Sequence, residues 1–176
     1  MDQYSWLYKE PGPKMLLEML ALRGISEFKG AKNNPAILAW ASELGIDWYT
    51  ADSIPWCGLA MAIAANRAGY KPPDDPLWAL NWKKFGKPVT RPMLGDVMIK
   101  NRDGGGHVTM YVGEDKKYYH GLGGNQDDKT NIALFPKYLP SGQIWAFRRP
   151  NFRIGQPLNV RIVNLTNEGT VAQSEA

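Results

Sequence analysis

The chain has 176 residues, room for one domain and little more. Hydrophobic residues make up 44% and charged residues 22%, and Gly and Pro stay below low-complexity levels, so disorder, collagen and coiled coil are excluded as overall descriptions. With 21 basic and 17 acidic side chains the net charge of +4 suits an anionic partner without choosing one, while a single cysteine excludes an internal disulfide and a four-thiolate zinc site.

Pro13 occupies a position that a first helical turn tolerates, and Met15, Leu16, Met19, Leu20 and Leu22 follow at helical spacing until Gly24. A second helix is predicted from Asn34-Pro35, with Asn34 as cap, Ile37, Leu38, Trp40, Ala41 and Leu44 on one stripe, and Gly45 as stop. The segment from Ile46 to Pro55 is irregular, broken by Asp47, Asp52, Ser53 and Pro55. From Trp56 or Cys57 to Ala68 the chain is Ala-rich and apolar almost all round, which predicts a buried third helix ending at Gly69. Its apolar run, Cys57 to Ala65, is too short to cross a bilayer, so no stable membrane insertion is expected. After the turn Pro72-Pro73-Asp74-Asp75-Pro76, a short aromatic helix is predicted from Leu77 to Trp82.

The second half changes period. Val97 to Ile99, His107 to Val112, Lys117 to Leu122, Thr130 to Phe135 and Gln143 to Arg148 read as strands separated by Gly, Asn or Asp clusters. Val160 to Leu165 offers one further edge strand, and Thr166 to Ala176 reads as a mobile tail. Helices followed by strands predict an α+β domain, N-terminal helices packed on a C-terminal antiparallel sheet, over 1–150, with 151–176 as a C-terminal extension.

Cys57 stands at the predicted start of the third helix. There, unpaired amides and the positive end of the helix dipole stabilise a thiolate, and the same amides suit an oxyanion. A lone cysteine is also a small buried hydrophobe, and both readings stand on position alone. The chain has two histidines. His107 follows Gly104-Gly105-Gly106 and shares a strand face with Thr109 and Tyr111, the glycines leaving room for it to face a cleft; His120, in Tyr118-Tyr119-His120-Gly121, has similar reach. Asn125, in Gly123-Gly124-Asn125-Gln126, could fix the tautomer of His107 at the same sheet end, or simply make a turn. Trp56, Trp78 and Trp82 suit either a groove for sugars and peptides or packing. Lys83, Lys84 and Lys87 form a basic edge, explained equally by solvation.

Four strings in order carry a family likeness. Ile54-Pro55-Trp56-Cys57-Gly58-Leu59-Ala60 resembles the nucleophile motif of CHAP and NlpC-like cysteine peptidases, in particular the phage and bacterial subgroup reading P-W-C-A/S-x-F. Leu94-Gly95-Asp96-Val97 resembles its P-G-D-V. Gly106-His107-Val108 through Tyr111-Val112-Gly113-Glu114 resembles G-H-V-x-x-Y-V-G, and Leu122-Gly123-Gly124-Asn125-Gln126 resembles L-G-G-N-Q. The likeness spans roughly Pro13 to Pro150. It departs at Gly58, where many relatives have Ala or Ser, and in offering no Glu for the third role.

The resemblance implies a papain-like α+β fold and cleavage of peptidoglycan amide bonds, with Cys57 as nucleophile, His107 as general base and acid, and Asn125 as orienting residue. Trp56, Asp52, Trp82 and Gln126 are the expected substrate contacts, and His120 falls to a structural or rim role. No cofactor is implied; Asp47 and Asp52 are the only carboxylates placed for the calcium that some relatives bind, and no metal is expected. The opening Met1-Asp2-Gln3-Tyr4 lacks a basic and apolar leader, so synthesis in a host cytoplasm is expected, with action on the cell wall in the periplasm or outside the cell. The leading expectation is a monomeric phage endolysin or related lytic enzyme, either an N-acetylmuramoyl-L-alanine amidase or an endopeptidase. Its partner is bacterial peptidoglycan rather than nucleic acid, and holin-dependent release is one implied route. The alternatives are a non-catalytic wall-binding or phage structural module, a secreted antibacterial effector amidase, and transglutaminase-like acyl transfer.

Overall fold

The computed structural model describes residues 2–102, 104–165 and 171. A 3-10 helix, Ser5–Lys9, precedes α1 (Lys14–Ala21), α2 (Pro35–Glu43) and α3 (Cys57–Arg67). A second 3-10 helix, Ala79–Lys84, replaces the helix expected from Leu77 and leads into six strands. These are β1 (Lys87–Val89), β2 (Val97–Arg102), β3 (Gly105–Glu114), β4 (Tyr118–Gly123), β5 (Asn131–Pro136) and β6 (Trp145–Arg149). They form one antiparallel sheet in the order β1-β6-β2-β3-β4-β5. The protein is therefore α+β, its helices preceding its sheet. The short strand β1, which contains Pro88 and lies at the sheet edge, carries no alternating pattern by which to expect it.

Local chemistry places each helix. The Asn34 side chain accepts the N–H of Ala36 at 2.9 Å, and Pro35 occupies the first turn, as the sequence predicts. Gly45 and Gly69, with φ of +69° and +83°, follow α2 and α3 where a left-handed residue ends a helix. In α3 every residue from Cys57 to Ala65 is buried. Its small side chains let it lie close against the sheet and α1: Ala60 touches the backbone at Gly124 so closely that a Cβ there would sit 2.5 Å from the Ala60 Cβ. Val97, Ile99, Val108, Met110, Val112 and Leu122 supply the sheet side of the core.

The opposite sheet face is curled onto itself. In a flat sheet β4 and β6 stand three strand spacings apart, about 14 Å at about 4.8 Å per step. Yet the Tyr119 ring lies 5.7 Å from Trp145 and 5.5 Å from Phe147, and Trp145 donates to the Pro136 carbonyl at 3.0 Å. Phe135, Tyr111, Tyr119, Trp145 and Phe147 thereby fill a concave interior, bordered by the buried Lys100, whose Nζ sits 5.4 Å above the Phe135 ring. The cross-strand aromatic contacts stabilise the curl.

Residues 151–165 close over the body. Val160 and Val163 join the core, and backbone bonds link Leu94 to Arg161, Glu114 to Val163 and Leu165 to Glu114. The expected edge strand over Val160 to Leu165 is reduced to one isolated bridge, Glu114 with Asn164, because Pro157 and irregular backbone bring it in without a ladder. Of the expected tail, 166–170 and 172–176 lie outside the described residues, and Val171 bridges Leu134.

His120 is structural. It is fully buried, its Nε2 donating to Asp115 Oδ2 at 3.0 Å and its Nδ1 accepting the Tyr4 hydroxyl at 2.7 Å. Burial holds its pKa below the ordinary histidine value despite Asp115.

A second polar anchor ties β2 to β6. Asp96, fully buried, accepts Arg149 Nε at 2.9 Å and Nη2 at 2.7 Å, and the Met93 amide at 2.8 Å. Burial pushes the Asp96 carboxyl up beyond what Arg149 restores. Gly95, at φ +87°, makes the turn before it, where a Cβ would sit 2.6 Å from Pro13. Replacing Asp96→Asn strands a buried guanidinium; unfolding in denaturant should show a loss of about 3–5 kcal/mol.

Candidate active site

Cys57 is the first residue of α3, and Trp56 before it contributes no side-chain cap. No acidic residue stands in the first turn either. The orphan amides and the dipole are therefore left to act on whatever lies at the helix tip, which is the Cys57 thiol. The thiol is buried, and burial alone would raise its pKa. The hydrogen bond and charge of His107, with backbone N–H groups of Val108 and Gly58, outweigh burial and hold it below the ordinary thiol value.

His107 comes from β3, directly across from Lys100 of β2. Its ring stacks on Phe135 at 5.5 Å between centroids. Its Nε2 is 3.1 Å from Gln126 Oε1. Gln126 Nε2 in turn donates to the carbonyls of Gly121 at 3.0 Å and Asn131 at 2.9 Å, and to Asn131 Oδ1 at 3.1 Å. Thr109 Oγ1 donates to the same Gln126 Oε1 at 2.8 Å. The glycines of the Gly121-Leu122-Gly123-Gly124 run make this packing possible: a Cβ at Gly123 would lie 2.6 Å from Gln126 Oε1, and one at Gly121 would lie 2.7 Å from Thr109 Oγ1.

Several expectations are corrected here. The side chain whose oxygen lies against His107 Nε2 is that of Gln126, expected among substrate contacts. Asn125 lies in the turn after β4 at φ +53°, with Asp127 and Asp128 also at positive φ, so strand alternation does not carry through and the next side chain points back to the imidazole. Trp56 and Trp82 are fully buried rather than open to substrate. Trp56 donates to Glu27 Oε1 at 2.7 Å and Trp82 to the Pro76 carbonyl at 2.9 Å. Asp52, also buried, accepts the amides of Phe28 at 3.0 Å and Asn34 at 2.7 Å and so braces two loops. Of the glycines before His107, Gly106 leaves no room, since a Cβ there would strike Leu80 of the second 3-10 helix at 2.5 Å, whereas Gly104 borders open space and Gly105 lies against the Trp78 ring.

Ile46, Trp48, Ile54, Pro76, Leu77 and Trp78 line a cleft of about 500 Å³. Trp48 and Trp78 are its exposed aromatics, at 65% and 53%. Pro55, two residues before the thiol, is in its wall, and the Pro76 and Leu77 carbonyls press onto Gly58. The sequence singled out Trp78 but not Trp48, whose irregular segment has no periodicity to signal exposure. Among residues that sequence reasoning missed, Thr109 had a usable signal, its two-residue offset from His107 on one strand face. Asn131 and Glu27 had none.

No protein-family model matches the chain, and comparison with curated proteins found no match.

Gly58 is explained by its neighbours. A Cβ there would lie 2.3 Å from the Pro76 oxygen and 2.6 Å from that of Leu77. Gly58→Ala improves helix propensity by about 1 kcal/mol, yet overpacking typically costs about 1–3 kcal/mol, so the variant should melt lower in a thermal scan. The thiol makes a second test. With His107→Ala, burial is opposed by amides alone, and the pH profile of Cys57 alkylation by iodoacetamide should move to higher pH.

Proposed function

We propose that this protein is a peptidoglycan hydrolase with a papain-like arrangement, cutting a wall amide bond through Cys57. The observation that carries the reading is a buried thiol at an uncapped helix start, its pKa held down by the neighbouring imidazole of His107, whose Nε2 lies 3.1 Å from a carboxamide oxygen. The wall as substrate rests on the four ordered strings that resemble CHAP and NlpC-like peptidases, and on an apolar cleft with two exposed indoles whose wall includes Pro55, two residues before the thiol.

The chemistry follows from the geometry. With Nε2 facing Gln126 Oε1, the imidazole turns Nδ1 to the thiol and takes its proton. The thiolate attacks the amide carbonyl carbon, and amides at the α3 start, including that of Cys57, receive the negative oxygen. His107 returns the proton to the departing amine, leaving a thioester. Water, deprotonated by His107, attacks that thioester; carboxylate leaves and the thiol is restored. Gln126 orients the ring and supports the transient imidazolium by its oxygen.

Mass spectrometry of muropeptides after digestion tests the proposal. Wild type should release new amine and carboxyl ends, their masses separating a sugar–peptide cut from a cut within the peptide. Cys57→Ala should lose digestion by several orders of magnitude with an unchanged circular dichroism spectrum. Undiminished digestion by that variant would end the nucleophile assignment.

A further inference from the structure

The Gln126 carboxamide has no freedom to flip. Its nitrogen faces two backbone carbonyls and the Asn131 side-chain oxygen, all between 2.9 and 3.1 Å, so the amino group must be there and the oxygen must point the other way. That oxygen then meets His107 Nε2 at 3.1 Å and the Thr109 hydroxyl at 2.8 Å. An amide oxygen only accepts, so both neighbours must donate. The arrangement is fully buried: Gln126, His107 and Thr109 are each at 0% exposure. A rotation of the amide would set its nitrogen against the imidazole N–H and its oxygen against carbonyl oxygens, leaving buried groups unsatisfied.

We propose that Thr109, Asn131 and the Gly121 carbonyl are positioning elements that lock the Gln126 amide, and that this lock fixes neutral His107 as the Nε2–H tautomer with its Nδ1 lone pair turned to Cys57. The inference rests on the Cys57–His107 reading above and adds how the base is held ready without a carboxylate. It also accounts for an amide at position 126. A carboxylate there would place an oxygen about 3 Å from the two carbonyl oxygens with no proton to offer them. Gly121 and Gly123 belong to the same device, since their missing Cβ atoms leave the volume that Thr109 and Gln126 occupy.

The test uses the full chain with 15N-labelled histidine, in which there are only two histidines to assign. In Cys57→Ala, above the pH at which the ring ionises, long-range 15N–1H correlation spectra should show His107 protonated at Nε2 alone. On that background Gln126→Met should give a mixture of tautomers. Thr109→Val, which keeps the shape beside Gly121 and Gly123 but removes the hydroxyl, should do so partially, and Thr109→Ser should restore the single form. His120, held by Asp115 and Tyr4, should keep its signals throughout and reports that the fold persists. With Cys57 restored, alkylation across pH should slow several-fold in Thr109→Val and recover in Thr109→Ser. His107 found protonated at Nδ1, or a tautomer unchanged in both Gln126→Met and Thr109→Val, would overturn the lock. The spectra involve no cell wall, so a locked ring in a chain that leaves peptidoglycan intact would refute the proposed substrate and leave the lock standing.

Discussion

A thiol sealed from water is normally a poor anion, and everything at this site follows from how that penalty is offset. The compensation comes from two directions: the uncapped amides at the start of α3 and the imidazole of His107. Each needs the other element held in place, because a helix dipole fades within a turn and a hydrogen bond within a few tenths of an ångström. The docking of α3 against the sheet is thus the constraint on which the rest depends. The Ala-rich face of that helix and the bare backbone at Gly124 set the separation.

Polar groups around the imidazole extend the same logic inward. His107, Gln126 and Thr109 share the face of a curled sheet with aromatic rings and the buried Lys100, and stacking on Phe135 leaves the His107 ring little freedom to tilt. In such surroundings a buried polar chain is worth keeping only if each member is satisfied, and the glycine run before Gln126 supplies the room for that. Orientation by a carboxamide, rather than a carboxylate, keeps the charge count of the interior low, since burying a further ion would carry its own desolvation cost.

Much of this was legible before any coordinates. Helical spacing, the Asn34-Pro35 cap and Gly45 marked α2, and period-two alternation in Val108, Met110 and Val112 separated core from site on β3. Cys57 at a helix start and His107 on the face opposite that core could be written down from spacing. What failed were judgements about direction across a turn and about exposure. Asn125 and Gln126 are adjacent, and only the positive φ values at Asn125, Asp127 and Asp128 decide which one turns back to the imidazole. Trp56 and Trp82 are indistinguishable in sequence from Trp48 and Trp78, yet the first pair is buried and the second lines a cleft.

Sequence by itself determined the order of helices before strands, the thiol at the tip of a buried apolar helix and the imidazole on a sheet, because these rest on local periodicity and capping. Tertiary structure alone decided that Gln126 holds His107, that Gly58 answers to the Pro76 and Leu77 carbonyls, and that the sheet curls until β6 meets β4 and the end of β5. Those contacts join residues far apart in the chain through volumes no side chain occupies. An absent Cβ carries no trace in the sequence of the neighbour that requires its absence.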